Sequence, residues 1–258
     1  MKKGLLYSSI VLTTLCCASG IYFYRLFSEK SAHQKQSIPI RIIAQTGPEK
    51  EALKTDYLAE LLGLSCDASA QVINKQKANK DLLKSPVIKK GIVKQISPGI
   101  LSIDYSLRKP YVFLGDYENV VLDQSGNPFP FLPFYTPKNM PLLYLGVKNI
   151  TWNEPVEKRE LAFEVLDFVS KELGFTAIHS LDVTQAEHPS LGQREIILVI
   201  HQESGRHFLR LTPLTYRDEL RRYLLLECGS GDLIIDLRLT NLAFIKEVSH
   251  ALESKGGF

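Results

Sequence analysis

The histidines are the first side chains in this sequence that could carry out chemistry. His201, Glu203 and His207 stand close together along the chain and offer two imidazoles and a carboxylate. Their spacing is wider than that of helical or knuckle-like zinc motifs. Ser204-Gly205 lies between them and is flanked by two strand patterns, so we expect a hairpin tip rather than a metal site. Four further histidines have no potential partner at a readable spacing: His33, His179, His188 and His250.

Two other segments have the composition of ligand-binding loops. Gly229-Ser230-Gly231 resembles part of a phosphate loop, but it follows a predicted helix and precedes a predicted strand, the reverse of the order that such a loop requires. Asp123 to Asn127 lacks the further carboxylates of a calcium loop. Neither a Gly-x-Ser-x-Gly nor a Cys-x-x-Cys motif occurs. We therefore predict no catalytic residue, no cofactor and no metal ion, and a protein that is not an enzyme.

The overall composition is that of an ordinary globular chain. Of the 258 residues, 45% are apolar and 23% are charged, and the formal net charge is +3. We therefore expect neither extended disorder nor nucleic-acid binding. We interpret one basic stretch of the sequence as a solvent-exposed face of the protein. The alternative is a surface that lies beside anionic lipid headgroups. It comprises Lys75, Lys77, Lys80, Lys84, Lys89, Lys90 and Lys94.

The N-terminus contains the longest apolar stretch. Residues 4–24 are 21 positions without a charge, bounded by Lys3 and Arg25. At about 1.5 Å per residue a helix of this length matches a hydrocarbon core of about 30 Å. A cleaved signal peptide, with a small-residue site at Ala18-Ser19-Gly20, is the alternative. The prediction is a tail at 1–3, a single-pass anchor at 4–24 and a polar linker at 25–37.

Apolar patterns along the remaining chain predict two successive groups of elements. Residues 38–107 give the order strand, helix, helix, strand, strand, and 100–107 alternate cleanly between apolar and polar positions. Residues 108–250 give several short strands and two helices, the first between about 155 and 173 and the second after Thr215. The sequence therefore predicts an α+β fold.

Several motifs, in matching order and spacing, resemble those of the bacterial cell-division protein family FtsQ, also called DivIB. A Pro-x-x-Leu turn occurs at Pro98-Gly99-Ile100-Leu101 and an Arg-x-Pro element at Arg108-Lys109-Pro110. An apolar pair before Asp-x-x-Gly occurs at Val121-Leu122-Asp123-Gln124-Ser125-Gly126. Met140-Pro141-Leu142-Leu143 and Asp236-Leu237-Arg238-Leu239 are similar to two later family elements.

The resemblance implies a fold and a function. The expected fold is an N-terminal transmembrane helix, a POTRA domain at 38–107, a β domain of mainly antiparallel sheet with two helices at 108–250, and a C-terminal tail at 251–258. The expected function is non-enzymatic assembly of the division septum, at the inner membrane with the body in the periplasm. The alternatives are a POTRA-containing receptor in protein translocation or outer-membrane assembly, and a membrane-anchored cell-wall enzyme.

The resemblance also implies partners and a binding surface. The expected partners are the membrane, through the single-pass anchor, and division proteins like FtsB and FtsL, with other division proteins at the POTRA domain. Nucleic acid and small-molecule substrates are not expected. In this family a partner segment adds as a strand to the last edge of the β domain. By position, that edge comprises Arg238, Leu239, Asn241, Leu242, Ala243, Phe244, Ile245 and Lys246.

Overall fold

Contacts between residues divide the chain into two units in the computed structural model. The structure describes residues 19–22, 40, 42–47, 51–64, 74–97 and 99–248. The first unit comprises the described parts of Met1–Thr46, Lys54–Asp81 and Ile92–Asp104. The second comprises Gly47–Leu53, Leu82–Gly91 and the described part of Tyr105–Phe258. The predicted domain bounds at 107 and 108 stay a prediction.

A three-stranded sheet and two helices form the N-terminal part. The elements are β1 (Ile42–Thr46), α1 (Thr55–Leu61), α2 (Lys75–Leu82), β2 (Ile88–Ser97) and β3 (Ile100–Leu107). The strand order is β1-β3-β2, with β1 parallel to β3. In β3 the residues Leu101, Ile103, Tyr105 and Leu107 are buried and alternate with more exposed ones. The alternation that the sequence predicts for this strand is thus confirmed.

A nine-stranded sheet forms the rest of the described chain. Its strands are β4 (Val112–Leu114), β5 (Val120–Leu122), β6 (Pro128–Pro130), β7 (Leu142–Tyr144), β8 (Ile178–Asp182), β9 (Ile196–Gln202), β10 (Gly205–Leu211), β11 (Leu233–Asp236) and β12 (Phe244–Glu247). Their spatial order is β12-β11-β10-β9-β8-β7-β4-β5-β6. Three neighbouring pairs are parallel, namely β10 with β11, β4 with β7 and β7 with β8, and the others are antiparallel.

Two helices contribute their apolar faces to the core of this sheet. Helix α3 (Arg159–Leu173) buries Ala162, Val165, Leu166 and Val169, a spacing that places them on one face. Helix α4 (Tyr216–Leu224) buries Tyr216, Leu220 and Tyr223 in the same hydrophobic cluster. Helix α3 ends at Gly174, whose φ of 86° is a conformation that glycine adopts without strain. Because α4 lies between β10 and β11 in sequence, it is the crossover that permits their parallel pairing.

The predicted fold class included an N-terminal transmembrane helix, and this part of the prediction is wrong. Among the residues that the structure describes, no helix has both the length and the apolar character needed to cross a membrane. Within 4–24 only residues 19–22 are described, and they are helical. The other residues of the predicted anchor, the tail at 1–3, the linker at 25–37 and the C-terminal tail at 251–258 lie outside the described residues.

Candidate partner-binding edge of the nine-stranded sheet

Strand β12 forms one edge of the nine-stranded sheet. It pairs antiparallel with β11, with Phe244 opposite Asp236 and Ile245 opposite Ile235. In the described chain β12 has no strand on its other side. All residues of β12 are exposed. The strand therefore presents a row of main-chain donors and acceptors that a further strand can use.

The opposite edge of the same sheet has a different chemistry. Strand β6 begins with Pro128 and ends with Pro130, with the buried Phe129 between them. Proline has no backbone N–H, so two of its three positions cannot donate to an added strand. Strand β12 contains no proline, so each of its outward-facing residues can donate a hydrogen bond to an added strand.

Exposed apolar side chains surround the β12 edge. Leu239, Leu242, Phe244 and Ile245 are 52%, 56%, 59% and 47% exposed. Residues opposite each other in a ladder share a face, so Ile245 continues the buried face of β11 and Phe244 the other face. A strand added at this edge would cover apolar surface on both faces of the sheet. Ala243 differs from these residues because it packs against the core.

The predicted edge residues before β12 form its connection to β11. Asn241 has a φ of 61°, and the Leu242 N–H donates to the Leu239 carbonyl across the turn at 3.3 Å. Asparagine tolerates this left-handed conformation better than most residues. Asn241 therefore shapes a turn and is not part of the strand. Within the predicted set, Phe244, Ile245 and Lys246 are the residues that belong to β12.

Arg238 is held by side chains of its own chain. Its Nε donates to Asp236 Oδ1 at 3.0 Å and its Nη2 to Asp236 Oδ2 at 2.7 Å. Its Nη1 lies 3.4 Å from Glu195, which also accepts from Arg210. Burial raises the pKa of the Asp236 carboxyl, but its hydrogen bonds with Arg238 outweigh burial and lower this pKa overall. Arg238 thus fixes the end of β11 through these bonds.

Arg222 is a residue of this site that the sequence did not reveal. It lies in the last turn of α4, and its Nη1 and Nη2 donate to the carbonyls of Leu239 and Leu237 at 3.0 and 2.8 Å. A basic residue at a helix C-terminus is ordinary, and nothing in the local sequence indicates its distant carbonyl partners. Through Arg222, helix α4 holds the segment that leads into the edge strand.

Replacing Arg222 by alanine is expected to lower the free energy of unfolding by about 1–2 kcal/mol, because two charge-assisted hydrogen bonds are lost at a partly exposed position. Amide hydrogen exchange from Leu239 to Glu247 should become faster than in the unchanged chain. Arg221→Ala is the control, since Arg221 pairs with the exposed Asp218 and lies over the Phe168 ring, and neither contact involves the segment before β12. Equal exchange rates in the two variants would contradict this role of Arg222.

The residues considered for other chemistry do not form a larger site. Asp123 accepts hydrogen bonds from the N–H groups of Ser125 and Asn127, so its oxygens serve a turn. His207 is buried, and its Nδ1 lies 2.7 Å from the Tyr223 hydroxyl. Burial lowers the pKa of His207 and raises that of Tyr223 to about 12. Across the described ranges, no group of three or more His, Cys, Asp or Glu side chains could hold a metal ion.

No model of a known protein family matches the chain, and no curated protein matches it.

Proposed function

We propose that this chain is a non-enzymatic assembly protein of bacterial cell division, of the kind that FtsQ and DivIB represent. It links other division proteins, and β12 captures an extended segment of an FtsB-like partner as a tenth strand of the sheet. The observation that carries the proposal is the exposed, unpaired side of β12 among the described residues, with apolar side chains on both faces. The order and spacing of the family-like motifs add to it. An FtsL-like protein joins through the same partner, and the complex works at the division septum outside the cytoplasm.

Main-chain bonds alone cannot account for stable capture. In an antiparallel ladder, neighbouring residues alternately direct their polar groups to one side or the other, so two of the four residues of β12 face an added strand. They provide about four hydrogen bonds, with a net contribution of roughly 2–6 kcal/mol. A micromolar complex requires about 8 kcal/mol. The difference must come from burial of the exposed Leu242, Phe244 and Ile245 side chains by the partner.

A proline scan of β12 tests this mechanism. We expect Phe244→Pro, Ile245→Pro and Lys246→Pro each to reduce capture of a purified FtsB-like partner by the full-length chain. At positions whose N–H faces β11, proline should also lower thermal stability. At a position whose N–H faces outward, stability should stay close to that of the unchanged chain because no existing bond is lost. Loss of capture without loss of stability is the diagnostic result.

The matched control is the same scan along β1, an edge strand of the three-stranded sheet, with Ile43→Pro, Ala44→Pro and Gln45→Pro. We expect these variants to retain capture. Capture that survives every β12 variant, or that is lost only in the β1 variants, would refute the assignment of the edge.

The cellular role is tested separately from the edge. Depletion of the protein is expected to stop septation and to produce elongated cells, and a fluorescent fusion of the full chain should gather at the septum. Normal septation after depletion would overturn the proposed function, whatever the outcome of the proline scan.

A further inference from the structure

Two histidines that are distant in sequence meet on the surface of the nine-stranded sheet. Nδ1 of His179 and Nε2 of His201 are 3.1 Å apart, and the rings are 4.8 Å apart with planes at 76°. His179 lies in β8 where the pairing with β9 shifts register between Ile178 and Ser180. Such a bulge re-aims the side chain of the extra residue. Both imidazoles are exposed, so solvent reaches them.

The separation of the two nitrogens suits a shared metal ion. A zinc–imidazole bond is about 2.0–2.1 Å long. Two such bonds place their nitrogens about 2.9 Å apart at a right angle and about 3.4 Å apart at the tetrahedral angle. The observed 3.1 Å lies between these two values. The rings therefore need only small rotations for both lone pairs to converge on one ion.

We propose that His179 Nδ1 and His201 Nε2 bind one divalent transition-metal ion of the zinc, nickel or copper class, with water in the remaining positions. Imidazole nitrogen is a preferred ligand of these ions. The site is independent of the proposed role in cell division. It clamps β8 to β9 at the register shift.

The protonation state of His179 is compatible with binding. Burial, together with the nearby His201 and Arg206, lowers the pKa of His179, so that its imidazole is neutral at pH 7 and retains a lone pair. Without metal, one imidazole N–H donates to the other ring. On binding, that proton moves to the other nitrogen of the same ring, so binding requires a change of tautomer and no net loss of a proton.

Arg206 carries a positive charge that would repel a metal cation bound at the His179–His201 pair. Its Nε and Nη2 donate to Asp232 Oδ2 at 2.9 and 2.6 Å. The Asp232 carboxylate cancels much of the electrostatic effect of the Arg206 guanidinium at the histidine pair. The repulsion is therefore weaker than an isolated arginine would produce.

Calorimetric titration of the full chain with Zn²⁺ tests the site. We expect one ion per chain, with binding lost in both His179→Asn and His201→Asn. His188→Asn is the matched control, because His188 is half-buried and its Nδ1 already accepts a local bond from the Ser190 N–H, so zinc binding should persist in this variant. Zinc at a hundredfold excess over its dissociation constant should raise the melting temperature of the unchanged chain by about 5–10 °C.

The same excess of zinc should leave the melting temperature of both pair variants unchanged. Circular dichroism of the variants without zinc should match that of the unchanged chain, because both side chains are exposed. Zinc binding that persists in both pair variants, or the absence of binding by the unchanged chain, would overturn the proposal.

Discussion

Replacing Asp123 by alanine is expected to lower the free energy of unfolding by about 3–5 kcal/mol. Arg108 Nη1 donates to Asp123 Oδ2 at 2.7 Å, and the two side chains are only 11% and 6% exposed. Asp123 Oδ1 also accepts from the Ser125 and Asn127 N–H groups at 2.8 and 3.0 Å. The variant would leave two turn donors without their acceptor and the buried Arg108 guanidinium without its carboxylate partner, with neutral acceptors only on Pro86 and Asn153.

The free energy of unfolding that is lost in Asp123→Ala should depend on pH. Burial raises the pKa of Asp123, but hydrogen bonds from Asn127, Arg108 and Ser125 together outweigh it and bring the pKa below the usual 3.8. A carboxyl with a lowered folded-state pKa stabilises the fold above its unfolded pKa and loses this effect as the pH falls through the folded value. The stability difference between the two proteins should therefore be complete at pH 7 and shrink below about pH 4.

Denaturation by urea at pH 7 and at pH 3 measures both effects. Asp218→Ala is the control, because Asp218 forms an exposed pair with Arg221 and its loss should change stability by less than about 1 kcal/mol. A similar small change for Asp123→Ala would show that the Arg108–Asp123 pair is not a structural requirement.

Replacing Gly205 by alanine is expected to destabilise the chain by about 2–4 kcal/mol and to weaken capture at β12. Gly205 has a φ of 144°, and a Cβ there would lie 2.4 Å from the backbone oxygen of Gly231. Gly231 also donates its N–H to the Ser204 carbonyl at 2.7 Å. Because this oxygen belongs to the main chain, relief of the clash requires the segment before β11 to move away from β10.

Gly229→Ala is the matched control for this change. An added Cβ at Gly229 meets no atom within 4 Å. Thermal melting and partner capture of the two variants separate the effect of the clash from that of an extra methyl group. Equal melting temperatures would contradict the close approach at Gly205.

Much of the described fold could be predicted from local patterns. The alternation of Leu101, Ile103, Tyr105 and Leu107 requires a strand with one buried face, and the structure contains that strand. The edge that the family resemblance implies includes Phe244, Ile245 and Lys246, and β12 comprises Phe244–Glu247. Local periodicity predicts β3 because one face of this strand is buried and the other is not.

The contacts that define the candidate sites could not be predicted in this way. His179 and His201 meet because β8 and β9 pair with a register shift, and no sequence spacing encodes that shift. Arg222 reaches the Leu237 carbonyl only because α4 crosses from β10 to β11. Both contacts depend on how elements are arranged in space, which the spacing of residues within one element does not determine.

The two edge strands of the nine-stranded sheet, β12 and β6, differ in their ability to donate hydrogen bonds. This difference limits how copies of this chain can associate with each other. Two of the three residues of β6 are prolines and have no N–H to donate, so β6 cannot form a regular ladder with β12 of another molecule. Self-association along the sheet would therefore have to join β12 to β12, a two-fold arrangement that closes on itself. Head-to-tail growth through the edges of this sheet is blocked, and a segment bound at β12 would end assembly along it.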